Sequence, residues 1–294
     1  MSTVLNKVCA DGVTTKNTGS KKQCLEKATR VYFAVDKDFS FPDVATAESA
    51  AAWEAAIVAK SIVPFYDIDE DAALNNTDAV IKNARFKDIP VKDAIRGVDY
   101  IHYLDVCSYE SISSFENSNK YTGIFRVTEA NELLCVVNTD GTVTAEPITS
   151  FIVGVRNEPV GDTPASTTVS IKFDDYNVSI LTPVIDLRKQ EGIYDVLLTA
   201  TEQLAGSIKF KAQIGCADDE SLATVVQANI NLLDAAGAPH VFTFGGYDAN
   251  TEEYTLTGTG FATGFTLALK ETTTGAVLKL GSILYESNIL TLTV

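Results

Sequence analysis

The sequence predicts a mainly β protein, and three observations carry that reading. Residues Asn119 to Asn157 hold three β-rich runs separated by turn residues at Asn131 and at Asp140-Gly141. Glycine enters positive φ at low steric cost, so Asp140-Gly141 suits a tight hairpin. The middle run, Leu133 to Val137, has no polar residue. It is expected to be buried on both faces, as the central strand of a three-stranded meander. The second observation is that the chain beyond residue 186 alternates short apolar runs with Gly, Asn and Asp turns. That spacing indicates a β-sandwich of immunoglobulin-like type. The third is that one segment alone, Asp43 to Lys60, reads as a convincing helix.

Taken in order, residues 1–30 are polar, with turn residues at Asp11-Gly12 and 17–20, and read as an extended arm. Thr29 to Val35 is a strand stopped by Asp36-Lys37-Asp38. The helix over 43–60 follows from alanines at 47, 50, 51, 52, 55, 56 and 59, with Thr46 as its cap. Ala50, Trp53, Ile57 and Val58 fall on one face, where Trp53 anchors the helix on a sheet. Asp67, Asp69 and Asp71 have the spacing of calcium ligands. The segment lacks the glycine and distal glutamate of an EF-hand, and reads as a solvated acidic loop. Residues 80–101 carry short apolar runs broken at Pro90 and Gly97. Tyr100 to Tyr109 predicts a strand, and Ser108 to Phe115 a short helix. Residues 157–164 are a Pro/Gly-rich loop, and Thr167 to Phe173 alternates as a strand.

The connector between Thr182-Pro183 and Gln190-Glu191-Gly192 marks a domain boundary. The expected organisation is an arm over 1–30, a β domain over 31–185 and a sandwich over 186–294. In the sandwich, strands are expected at 195–200, 207–214, 229–233, 240–244, 254–258, 266–270, 276–279 and 289–294, with one or two helical turns at 221–227.

The 294 residues are 46% hydrophobic and 21% charged, enough for a buried core. No run approaches a membrane-spanning length, and the first residues lack the apolar stretch of a signal peptide, so synthesis in a cytoplasm and no membrane partner are expected. The formal net charge of −16 disfavours groove-type nucleic-acid binding. Its distribution is uneven. Residues 1–30 hold six basic and two acidic residues, net +4; residues 31–185 are net −13 and residues 186–294 net −7. A basic arm on an acidic body can dock on another copy or remain a solvated tail. The candidate subunit-interface residues are therefore Lys16, Lys21, Lys22, Lys27 and Arg30, with Asp67, Asp69 and Asp71.

Cys9, Cys24, Cys107, Cys135 and Cys216 include no CxxC pair, and five free thiols are the expectation for a reducing compartment. The two histidines, His102 and His240, stand without cysteine neighbours, so a zinc site is not expected. There is no GxSxG elbow. The expectation is a non-enzyme without cofactor, metal or catalytic residues. A carbohydrate- or cell-surface-binding β-sandwich is the competing class. It would need an exposed aromatic platform, for which Tyr247, Tyr254, Phe261, Phe265 and Tyr285 are the candidates, although most of them are expected in the core.

Several stretches together resemble virion structural proteins of tailed phages, in particular tail tube-like proteins of phages of gut Bacteroidota. They are Phe39-Ser-Phe-Pro, the Ala50 to Ile57 helix with Trp53, Ile62-Val-Pro64, Asn75-Asn76-Thr77, Tyr121 to Val127, Val136 to Gly141 and Ile152-Val-Gly154-Val. The second half, from Gly192 through Val294, resembles the sandwich often appended to such proteins. The resemblance covers most of residues 31–294 and leaves 1–30 uncovered. It implies tail-tube-like packed β-sheets with a flanking helix, followed by an immunoglobulin-like β-sandwich. It further implies a homo-oligomer of stacked, hexameric rings in the virion tail, in contact with other virion proteins. DNA would meet it only by passage through a lumen, whose acidic lining would keep phosphates from sticking. Another tail or capsid-associated component is the nearest alternative.

Overall fold

The computed structural model describes residues 28–294 apart from 66, 74–78, 83–87, 93–95, 117, 175–177, 216–219 and 271–276; the side chains of 71–73, 79–82 and 88–92 lie outside the description as well. Among the described residues strand accounts for 48% and helix for 12%, so the protein is mainly β as its sequence predicts. The chain divides into two compact units after Gln190. That division lies beyond the expected domain start at 186, and Asn131 supplies the reason. Its amide oxygen accepts from Leu187 N at 2.9 Å and its amide nitrogen donates to Ile185 O at 2.6 Å. Leu187 is fully buried, so the 3-10 turn Leu187–Lys189 closes the first unit.

In chain order the first unit contains β1 (Thr29–Asp36), α1 (Val44–Ala47), α2 (Ala50–Val58), β2 (Ile62–Pro64), β3 (Glu70–Ala73), β4 (Ala79–Lys82), β5 (Asp88–Lys92), β6 (Gly97–Tyr103), α3 (Val106–Ser113), β7 (Tyr121–Thr128), β8 (Leu133–Val137), β9 (Val143–Thr144), β10 (Glu146–Val153), β11 (Ser166–Phe173) and β12 (Ser179–Leu181). One path through the ten-stranded main sheet runs β2-β1-β7-β10-β11-β6-β3, and β8, with β9 and β12 on it, branches from β7. The two ends of that path, β2 and β3, are consecutive in sequence and joined by residues 65–69 alone. Six residue steps span at most roughly 20 Å, so the sheet must curl until its ends approach each other. Tyr32, Tyr100, Ile124, Phe151, Val169, Ile171 and Phe173, from five strands, fill the inside of that curl.

In the meander expected over 119–157, β8 does lie between its sequence neighbours, pairing with β7 at Leu133 and Leu134 and with β9 at Val136 and Val137. β12 pairs with it as well, and β7 is a second branch point that the sequence did not show. One edge of β7 pairs with β1 along its length, and the other is divided between β10, at Gly123 and Ile124, and β8, at Arg126 and Val127. A continuous apolar run identifies a buried strand but not its neighbours, because pairing is non-local. Gly123 makes this fork possible. A Cβ there would lie 2.7 Å from the Cβ of Ala145, well inside van der Waals contact. β8 is buried at Leu133, Leu134 and Cys135 and partly open at Val136 and Val137. The Asp140-Gly141 turn forms as expected, with Gly141 at φ 89 and Asp140 Oδ1 accepting from Thr142 N at 3.0 Å.

The helix expected over 43–60 is two helices, with Glu48 and Ser49 outside both. The cap is Asp43, not Thr46: Asp43 Oδ1 accepts from Thr46 N at 2.7 Å. The break leaves the carbonyl of Ala47 at a helix end, where intrahelical donors run out, and the indole N–H of Trp53 donates to it at 2.8 Å. Trp53, Ala56 and Ile57 are the buried residues of α2, while Ala50 and Val58, expected on that face, are exposed. With alanine on every side, the stripe position was set by Trp53 and Ile57 alone. At the end of α2, Lys60 adopts φ 54 with Lys60 N on Ile57 O and Ser61 N on Ala56 O. This is a Schellman ending whose left-handed position usually takes glycine. Lys60→Gly is expected to raise stability by about 1 kcal/mol by relieving the Cβ strain; urea unfolding checks it.

Two further helix boundaries move. α3 begins at Val106, after Asp105, whose Oδ1 accepts from Ser108 N at 2.7 Å, so the strand before it stops at Tyr103. In residues 221–227 no α-helix forms; the only helical turn nearby is a 3-10 turn at Gln227–Asn229.

The second unit holds β13 (Ile193–Leu204), β14 (Ser207–Ile214), β15 (Ile230–Leu233), β16 (Thr243–Asp248), β17 (Glu253–Thr257), β18 (Thr266–Leu269), β19 (Val277–Leu280), β20 (Ile283–Ser287) and β21 (Leu290–Thr291). A six-stranded sheet, β16-β17-β14-β13-β20-β19, and a three-stranded sheet, β15-β18-β21, share one apolar core in a sandwich. β20 is not among the expected strands; it pairs in parallel with β13. β16 lies at 243–248 and not at 240–244, displaced toward a bulge at Phe244/Gly246. The hydroxyl of Tyr254 donates to Leu222 O and accepts from Val225 N, and so holds residues 222–225 on the sandwich.

Candidate functional site: the sheet closure and the sheet fork

β2 pairs with β1 and β3 with β6, and the residues between them close the curled sheet. This connection is laced to both ends. Phe65 N donates to Tyr32 O, Ile68 N to Arg30 O and Asp69 N to Ile101 O. Asp69 Oδ2 accepts from Tyr103 N at 2.7 Å and Glu70 Oε1 from Tyr103 Oη at 2.9 Å. His102 is buried at the middle of this closure. Its Nδ1 lies 3.0 Å from the carbonyl oxygen of Asp67, an acceptor, so Nδ1 carries the proton. Nε2 then accepts from Tyr32 Oη at 2.9 Å. Burial lowers the imidazole pKa below its ordinary value, against the smaller opposing pulls of the Asp67 carbonyl and the Asp69 carboxylate. Burial, with Tyr100 second, raises that of Tyr32. The pair is neutral around neutral pH.

The interface residues named from sequence meet different fates. Arg30 and Asp67 form an ion pair within the chain, Nη2 to Oδ2 at 3.1 Å, half-exposed on both sides. Asp69 is committed to Tyr103. Asp71 lies in β3 opposite Tyr100, and its side chain is outside the described ones. Lys16, Lys21, Lys22 and Lys27 lie outside the described residues. Among the described residues no cluster of three His, Cys, Asp or Glu could hold a metal ion.

Sequence reasoning missed the second centre. Arg126 of β7 and Glu146 of β10 meet at the fork between β8 and β10. Nε and Nη2 of Arg126 reach the two carboxylate oxygens of Glu146 at 2.7 Å each, in the two-pronged geometry that matches guanidinium to carboxylate. Both side chains are buried, and Arg96 Nη2 adds a third bond to Glu146 Oε2 at 2.9 Å. The guanidinium groups of Arg96 and Arg126 lie 5.0 and 4.8 Å from the centre of the Phe173 ring. The signal in the sequence was one arginine inside an apolar strand, but its partner lies twenty residues on and no local spacing links them.

Cys135 is a buried free thiol, and burial, with Glu146 adding to it, pushes its pKa far above the ordinary range, which makes it a poor nucleophile. Cys107 is disulfide-bonded, which corrects the expectation of five free thiols; Cys9, Cys24 and Cys216 lie outside the described residues. The proposed aromatic platform is core. Tyr254, Phe261, Phe265 and Tyr285 are buried, and Tyr247 packs against them. No helix among the described residues is long and apolar enough to cross a membrane. The fold and the two centres define a class: a two-unit, mainly β protein whose polar side chains knit strands together. No protein-family model matches the chain, and no curated protein matches it.

Proposed function

We propose that the protein is a self-assembling structural subunit of a tailed-phage virion, of the tail-tube kind, with its first unit making the contacts between copies. One observation carries the assembly reading: β4 and β5 form a two-stranded sheet of their own, which joins no other described strand. A ribbon of four and five residues is marginal in water by itself and gains stability by docking. It follows β3, which among the described strands pairs with β6 alone, and an edge strand offers its backbone groups to another chain. In the second unit, the edge strand β16 carries a bulge with Gly246 at φ 91, a device that discourages edge pairing. This favours the immunoglobulin-like sandwich as an appended module and the first unit as the assembling one. The acidic body suits a lumen through which DNA slides without adhering.

Electron microscopy of the purified protein tests the reading. Rings or tubes are expected, and a chain ending at Gln190 is expected to form them too. Monomers at every concentration and salt level would refute the assembly. Assembly that requires residues 191–294, with the first unit still folded, would refute the division of roles. Removal of residues 2–28 should weaken assembly most at low salt, where charge attraction is least screened.

A further inference from the structure

We propose that His102 is an acid-sensitive latch that holds the curled sheet of the first unit closed and releases residues 67–70 when it takes a proton. The proposal is independent of the assembly reading. Its ground is placement. β2 and β3 end one path through the sheet, and the connection between them is held by hydrogen bonds to β1 on one side and β6 on the other. His102 touches both sides at once, with Nδ1 on the Asp67 carbonyl and Nε2 on the Tyr32 hydroxyl. His102, itself in β6, thereby joins β1, β6 and the connection.

A second proton on His102 would sit on Nε2, facing the Tyr32 hydroxyl, which now donates its own hydrogen to that nitrogen. The O–H must rotate so that its oxygen accepts from Nε2, and Tyr32 loses its acceptor. The new positive charge would be fully buried, and an unpaired buried charge is costly. The groups that face it are few. β1 contributes Tyr32, with Arg30 further out; the connection contributes Asp67, Asp69 and Glu70; β6 contributes Tyr100 and Tyr103; and β11 contributes the uncharged Thr167 opposite in register. The Asp67 carboxylate is engaged by Arg30, and that of Asp69 by the Tyr103 amide. Opening the connection exposes the ring to water, where it protonates with ordinary affinity.

The sign follows from this. The closed state has the lower imidazole pKa. Closure is therefore fully favoured above about pH 6.5 and is lost as pH falls from there toward the lowered value. At pH 5 the population of the open form rises by up to about 30-fold over its value at pH 7.5, the ratio set by an ordinary histidine pKa of about 6.5.

Hydrogen exchange on the full chain at pH 7.5 and 5.0, corrected for intrinsic rates, reads the latch at Ile68 and Asp69, whose amides cross the closure. Their opening is expected to rise toward that limit while the amides of β7 stay protected. The variant His102→Gln, whose amide supplies a donor and an acceptor but does not titrate, is expected to remove the difference between the two pH values. Equal protection of Ile68 and Asp69 at both pH values in the natural chain would overturn the proposal. So would an undiminished difference in His102→Gln, which would assign the effect to the carboxylates. Should that variant fail to fold, the ring of His102 is titrated by NMR in the natural chain. A midpoint below 6.5 that coincides with the loss of protection supports the latch, and a midpoint at or above 6.5 overturns it.

Discussion

Glu146→Leu is expected to destabilise the first unit by about 3–5 kcal/mol, the range for removing one partner of a buried ion pair. Glu146 is fully buried and receives two bonds from Arg126 and one from Arg96. The partners respond differently. Arg96 is 42% exposed at its side chain and can turn to water. Arg126 is 6% exposed and is left as a buried cation without its carboxylate. The loss therefore comes from Arg126, and the double variant Glu146→Leu with Arg126→Met should recover most of it. Replacing a whole buried pair by apolar side chains of similar volume is often neutral. Urea unfolding of the two variants measures the contrast. A single-variant loss below about 1 kcal/mol would mean that the fork readmits water and that the pair matters little.

Trp53→Ala should cost a similar amount, about 3–5 kcal/mol, by a different mechanism. The indole is fully buried among Phe33 of β1, Phe41 and Phe125 of β7, with ring centres 5.1, 5.4 and 5.6 Å away. Truncation leaves a cavity the size of an indole and deprives the Ala47 carbonyl of its donor. α2 is short, and short helices owe their stability to packing more than to propensity, so the helix should loosen along with the cavity. Trp53→Phe keeps most of the volume and loses the hydrogen bond, and should lie well below the alanine variant. Trp53 is the only tryptophan, so its emission reports the first unit alone in the natural chain. The alanine variant is followed by circular dichroism instead. A loss confined to about 1 kcal/mol would show that α2 is a detachable flank.

The sequence by itself determined the class and most of the strands. Alternation in Thr167 to Phe173 became β11, with every second residue buried, because a half-buried strand needs nothing beyond its own period of two. Trp53 as a core anchor was legible for the same kind of reason: a large apolar side chain on an alanine-rich segment has one place to go. What only the tertiary structure decided were the matters of partnership. β7 and β8 are each met by three strands, and neither Tyr121 to Val127 nor Leu133 to Val137 carries a mark of being a branch. Arg126 and Glu146 acquire meaning only where the sheet divides. His102 looked solitary because its partners, Tyr32 and Asp67, lie seventy and thirty-five residues away. Periodicity and turn chemistry act over a few residues, whereas pairing, charge burial and closure arise when distant segments exclude water together. For that reason local pattern gave the strands, and the folded chain alone gave the fork and the latch.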